Sequence, residues 1–117
     1  MTASGRLLIA VAGPYSAPTA AERQRNLDAM NQAAAGVMRR GHVPVIGVNL
    51  ALPVVDALDP TDRYEAIMRI SLAVVERCDA ILLIGESPGA NRERDLLIAR
   101  GRPLYRDLLD IPKFEGS

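Results

Sequence analysis

Two short runs without a polar side chain constrain this chain most: LLIAVA at 7–12 and AILLI at 80–84. A strand with one face in water alternates apolar and polar residues, whereas one buried on both faces is apolar throughout. A sheet of such strands must be covered above and below, and parallel α/β architectures do this with helices. Each run leads into a polar, glycine-containing turn, GPYS at 13–16 and GESPG at 85–89, as the end of a buried strand requires.

The stretch 78–105, CDAILLIGESPGANRERDLLIARGRPLY, reads as strand, loop, helix and strand. The helix is expected over about 90–100, with Leu96, Leu97 and Ala99 available for packing and Gly101 closing it. A short strand follows at 103–105. Glu93 falls in the expected first turn, where free N–H groups and the positive end of the helix dipole favour a carboxylate and lower its pKa. Acidic residues also occupy first turns for stability alone.

Thr19-x-x-Glu22 fits a capping box and opens a helix to about residue 40, closed by Gly41. Leu27, Met30, Ala34, Val37 and Met38 recur at helical spacing and are expected to face the sheet. Arg23 and Asn26, near the start, belong at the same sheet edge as the Gly13 turn, with Arg23 read as part of a solvated face. His42, the only histidine, lies at the opposite edge and reads as structural or solvated. Residues 43–48 read as the second strand, and Pro44 points to an edge position. Residues 49–59 read as an apolar linker containing Pro53. Its length suits a lid or a subunit contact, and Leu50, Leu52, Val54 and Val55 call for cover by another chain or by the sheet edge. Asp59 and Pro60 read as N-cap and first residue of the next helix. Its stripe is Tyr64, Ile67, Met68, Ser71, Leu72 and Val75. Ser71 then lies on the buried or cleft-facing side, suited either to orienting a water or sugar hydroxyl or to plain helix packing. The tail, 106–117, is expected to form one helical turn and then fray.

The element order argues for one α/β domain over 1–117, with its core at about 7–105. The expected fold is doubly wound and Rossmann-like (flavodoxin-like), with a four- to five-stranded parallel sheet. In the strand order 2-1-3-4 the Gly13 and Ser87–Gly89 loops become neighbours. Ligands of such sheets bind beyond the carboxyl ends of the strands, so Glu93, Tyr15, Ser16 and Ser87 are expected to share one crevice. Backbone N–H groups at Gly89 and Ala90 are candidates for holding phosphate or sugar oxygens.

Composition narrows the function classes. A chain of 117 residues suits one domain. Formal net charge is zero, which gives no bulk attraction to nucleic acid or anionic membrane. With 3% aromatic residues and no Trp, a stacking platform for single-stranded nucleic acid is disfavoured. Cys78 is the only cysteine, which excludes an intrachain disulfide and a cysteine-based metal site. Neither G-x-G-x-x-G nor G-x-x-x-x-G-K-[ST] occurs, which disfavours dinucleotide and P-loop chemistry. The polar segment 1–6 and the short apolar run after it fit neither a signal core nor a membrane span, so a cytoplasmic location is expected.

The ordered set Ala12-Gly13-Pro14-Tyr15, Asn26, Gly41-His42, Cys78-Asp79 and Ser87-x-Gly89-Ala90-x-x-Glu93, spread over about 7–105, resembles the nucleoside 2-deoxyribosyltransferase superfamily. That superfamily includes nucleoside transferases, nucleoside 5′-monophosphate N-glycosidases and small bacterial and phage proteins, and the resemblance is closest to the last. It implies that Glu93 attacks C1′ of the sugar and expels the base. The departing base needs a proton or a strong hydrogen bond, for which Glu86, Asp95 and Tyr15 are the candidates in the sequence. The resemblance also implies a substrate site drawn from Gly13, Pro14, Ser16, Asn26, Ser71, Ser87, Gly89 and Ala90. No metal or organic cofactor is implied. The implied partners are a small nucleoside or nucleotide, not a nucleic-acid polymer or a membrane, and further copies of the chain in a homodimer or larger homo-oligomer. Two positions depart from the pattern: Ser71 stands where the family often has Asp, and Ala10 where active members often have Tyr. Glu86 and Asp95 are nearby carboxyls in sequence. A non-catalytic nucleotide-binding or regulatory module on the same scaffold is the alternative. A phosphoribohydrolase of the cytokinin-activating kind is disfavoured because its Pro-Gly-Gly-x-Gly-Thr loop is absent.

Overall fold

In the computed structural model, which describes residues 5–115, the side chains of two central strands alternate between two separate cores. The strands are β1 (Leu8–Ala12), β2 (Val43–Val45), β3 (Ala80–Leu83) and β4 (Leu104–Tyr105). All pairings are parallel, in the order β2-β1-β3-β4. The helices are α1 (Ala20–Arg39), α2 (Gly47–Leu58), α3 (Arg63–Val75) and α4 (Pro88–Ala99). Ile9, Val11, Ala80 and Leu82 meet Met30, Ala34 and Val37 of α1 on one face. Ala10, Ala12, Ile81 and Leu83 meet Val75 of α3 and Ala90 and Leu97 of α4 on the other. The period of two in a fully apolar strand thus feeds both layers, and the doubly wound parallel α/β fold is the one expected. No helix among the described residues is long and apolar enough to cross a membrane. Residues 1–4 of the polar leading segment and 116–117 of the tail lie outside the described residues.

The largest departure is at 46–62. The second strand stops at Val45, and residues read as a linker form α2, with Pro53 inside it. Its sequence, GVNLALPVVDAL, has no side-chain cap at the start, an internal proline and only two polar residues, Asn49 and Asp56, so local signals pointed away from a helix. Packing on α3 makes it one. Gly47, Val48, Ala51 and Val55 are buried, while Leu50, Val54 and Leu58 stay exposed along the flank of that buried stripe. Asp59 does not begin the next helix. It ends α2 in the left-handed region at φ 50°, a conformation that Asp tolerates better than most residues. The N-cap of α3 is Asp62, whose side chain accepts from the Glu65 N–H at 3.1 Å.

Smaller departures have equally local causes. Pro88, as the first residue after the Ser87 N-cap, starts α4 two residues earlier than the expected Ala90. Met38 is 62% exposed and Ala99 is exposed, so neither joins the core assigned to it. The tail forms its expected turn, a 3₁₀ helix at Leu108–Asp110, but does not fray there. Ile111 is fully buried, and the Phe114 N–H donates to the Arg40 carbonyl at 2.9 Å.

His42 is structural. Its Nδ1 accepts the Leu7 N–H at 3.0 Å, so its Nε2 carries the proton and donates to the Pro112 carbonyl at 2.5 Å. The ring joins the start of β1 to the tail. His42→Ala is expected to lower unfolding free energy in urea by about 1–3 kcal/mol, because it leaves a buried donor and an acceptor unpaired. Asp79 does similar work at the same edge. Its Oδ2 accepts from the Leu8 N–H at 2.8 Å, and its own N–H donates to the Leu8 carbonyl at 2.7 Å.

Candidate functional site

β1 and β3 are hydrogen-bonded neighbours, with Ala12 opposite Leu83. The loops that leave their carboxyl ends therefore touch. A Cβ on Gly13 would lie 2.7 Å from Cγ1 of Ile84, and one on Gly85 would lie 3.0 Å from Cδ of Pro14. Glycine at 13 and 85 is what lets the two loops meet. Asn26 of α1 donates its Nδ2 proton to the Tyr15 carbonyl at 2.9 Å and fixes the first loop from behind.

Between these loops, α3 and the start of α2 lies a cavity of about 280 Å³. That is near the lower end of small-molecule sites, about 300–1,000 Å³. Gly13, Tyr15, Ser16, Ser71, Ser87, Gly89, Ala90 and Glu93 line it. Pro14 and Asn26 do not; they support the loop rather than face the cavity. Ala10 is fully buried on the sheet face under α3 and α4. Glu86 and Asp95 also stay outside, both exposed and engaged by Arg94 at 3.4 and 2.9 Å.

Glu93 is 7% exposed and accepts a short hydrogen bond at Oε2 from the Ser71 hydroxyl. Among the residues lining the cavity it is the only one with a carboxyl group. Because α4 starts at Pro88, Glu93 is its sixth residue and sits in the second turn, past the free N–H groups of the first. The expected lowering of its pKa is overturned. Burial raises it from 4.5 to about 7, and the Ser71 hydrogen bond pulls only part of the way back. Near neutrality the side chain is a mixture of acid and carboxylate.

Ser71 is held from the other side by α2. A Cβ on Gly47 would lie 2.1 Å from Ser71 Oγ and 3.1 Å from its Cα. Gly47, Ser71 and Glu93 thus form a relay from the start of α2 through α3 to α4. Gly47→Ala is expected to destabilise the protein by about 1–3 kcal/mol through overpacking and to turn the Ser71 hydroxyl away from Glu93. A lowered melting temperature with an altered Glu93 titration would register both effects.

The polar atoms of the second loop are partly committed. Ser87 Oγ accepts from the Ala90 N–H at 3.1 Å, capping α4. The Ala90 amide is therefore not available to a ligand, contrary to the expected cradle, whereas the Gly89 amide in the same first turn has no intrahelical acceptor.

Sequence reasoning missed the apolar wall: Met30, Val48, Tyr64, Ile67 and Met68. The 64-67-68-71 stripe is visible in the sequence, but only Ser71 of it is expected in the cleft; Met30 is expected to face the sheet, and Val48 is hidden by the strand reading of 43–48. A second, outer hollow shares Tyr15, Ser16, Tyr64 and Ile67 with the cavity and adds Ala17, Arg23 and Arg63. Arg23 donates to the Ala17 carbonyl at 2.8 Å, and Arg63 pairs with Asp56 at 2.6 Å. Among the described residues no group of three or more His, Cys, Asp or Glu could hold a metal ion. No protein-family model matches this chain, and no curated protein matches it significantly.

Proposed function

We propose that the protein cleaves or exchanges the N-glycosidic bond of a nucleoside or nucleoside 5′-monophosphate, in the manner of the nucleoside 2-deoxyribosyltransferase superfamily. One observation carries the reading: a single carboxyl, Glu93, is buried in a cavity at the carboxyl edge of the sheet and held there by Ser71. Carboxylates positioned in this way serve as nucleophiles at anomeric carbons.

The step is a displacement. A Glu93 carboxylate oxygen forms a bond to C1′ as the C1′–N bond breaks and the electron pair leaves with the base. The departing nitrogen takes a proton, for which Tyr15, a residue of the cavity lining, is the candidate donor. Water, giving up a proton to the group that protonated the base or to solvent, then attacks C1′ as the bond from C1′ to the Glu93 oxygen breaks, which releases the sugar and restores the carboxylate; a second base attacking in place of water gives transfer. A raised pKa makes the ionised Glu93 more basic, and burial strips it of water. Both favour attack on carbon, while reducing the ionised fraction at low pH.

A second reading, a non-catalytic nucleotide-binding or regulatory module, is favoured by Ser71, which supplies no charge, and by the absence of a second carboxyl from the cavity lining. Base release from ribo- and deoxyribonucleosides and their 5′-monophosphates, followed by chromatography beside Glu93→Ala, separates the two. Release by the wild type alone supports the enzyme. Binding without release supports the module. Self-association belongs to the same proposal, and Leu50, Val54 and Leu58 of α2, exposed by 53%, 55% and 67%, are the surface that favours it. Sedimentation as a monomer at all concentrations would remove that part.

A further inference from the structure

We propose that Tyr64 stacks on a flat heteroaromatic ring of the ligand at the mouth of the Glu93 cavity, and that this contact dominates recognition of the base. The inference rests on the proposed nucleoside reading for the identity of that ring.

Tyr64 is the second residue of α3 and is 39% exposed. It borders both the cavity and the outer hollow, so it stands where a ligand would pass from one to the other. The Arg92 guanidinium lies 5.7 Å from its ring centroid and is itself held by Glu65 at 2.9 Å. A cation set against the ring and anchored by a carboxylate restrains the tyrosine and polarises its π system. Gly89 keeps the approach open on the α4 side, where a Cβ would lie 3.8 Å from Tyr64 Cε1 and 3.1 Å from Met68 Sδ.

Aromatic rings are scarce in this chain. It has three Tyr, one Phe and no Trp, yet two of those four, Tyr15 and Tyr64, line this one cavity. The surrounding wall of Met30, Val48, Ile67 and Met68 has thioether and hydrocarbon surface but no strong donor or acceptor. Of the polar lining, Ser71 is committed to Glu93 and Ser87 Oγ to the Ala90 N–H. Few side chains remain to read the hydrogen-bonding edge of a base. Stacking tolerates any base because every base has a π face, so purine and pyrimidine ligands should depend on Tyr64 to a similar degree.

The test is calorimetric titration of the full chain with deoxyadenosine, thymidine and their 5′-monophosphates, with 2-deoxyribose 5-phosphate as a ringless probe. Tyr64→Phe should bind the ringed ligands as the wild type does. Tyr64→Leu, which keeps bulk but no ring, and Tyr64→Ala should bind them about 10- to 100-fold more weakly, with the ringless probe unchanged. Ringed ligands bound equally by wild type and Tyr64→Ala would overturn the inference and leave the proposed reaction standing. So would equal losses for ringed and ringless probes, which indicate a structural role. Tyr64-dependent binding without base release would overturn the reaction and leave the stacking contact standing. No binding of any nucleoside by the wild type would overturn both.

Discussion

Base release by Glu93→Gln is expected to fall by about 10⁴-fold or more, the scale on which loss of a catalytic nucleophile is felt. Glutamine keeps the shape of the side chain and can still accept the Ser71 hydrogen bond, so the loss isolates the nucleophilic oxygen from the packing around it. The wild-type rate should also carry the signature of a carboxyl that titrates near neutrality. With a pKa of about 7, the attacking carboxylate becomes scarce below that pH. kcat/KM should therefore rise about tenfold per pH unit on the acid side and level off above it. Ser71→Ala removes the one group that lowers this pKa and should move the rising limb to higher pH. Equal rates in Glu93→Gln would remove Glu93 from the chemistry, and a rising limb centred near pH 4.5 would mean that its carboxyl ionises as an ordinary glutamate does. Mass spectrometry of the wild type after rapid acid quench should find a pentosyl adduct on Glu93 that the glutamine variant lacks.

The same carboxyl should make the fold less stable as pH rises. Its folded pKa of about 7 lies above the ordinary 4.5 because burial penalises the charge. Between those values the folded state holds a proton that the unfolded chain has released, so stability declines with pH. The contribution is fully present below about pH 4.5 and is lost as pH passes through about 7. At about 1.36 kcal/mol per pH unit, the gap corresponds to roughly 3 kcal/mol. Glu93→Gln has no charge to bury and should not show this component. Urea unfolding at a series of pH values should find the variant gaining on the wild type by roughly that amount between pH 4 and pH 8. Parallel stability curves would mean that the carboxyl is hydrated in the folded protein. A variant that is both inactive and more stable is the expected outcome where a buried charge is kept for function.

Much of this architecture was legible because it depends on short-range pattern. The runs at 7–12 and 80–84 could be satisfied only by strands covered on both faces, and β1 and β3 are those strands. Thr19-x-x-Glu22 set the start of α1, where Thr19 accepts from the Glu22 N–H at 3.1 Å. Pro44 marked an edge, and β2 is at the edge. Once the order β2-β1-β3-β4 holds, the Gly13 and Ser87 loops must be neighbours, so the convergence of Tyr15, Ser16, Ser87 and Glu93 on one cavity followed from topology.

What remained hidden depends on contacts between residues far apart in the chain. Nothing in GVNLALPVVDAL announces a helix; α2 exists because α3 gives its apolar side somewhere to pack. Local reasoning placed Glu93 near a helix dipole and expected an acid that ionises easily. Burial among α2, α3 and α4 reverses the sign, because desolvation of a charge outweighs one hydrogen bond. Ser71 was visible as cleft-facing, but its partner, 22 residues away, and the Gly47 contact that holds it were not. The sequence by itself determined the parallel sheet, the edge place of its second strand and the end of the sheet at which a site must form, since these follow from hydrophobic period, proline chemistry and chain connectivity. Only the tertiary structure decided how deep Glu93 is buried, what holds it and therefore at what pH it ionises, since desolvation depends on everything packed around a group rather than on its neighbours in the chain.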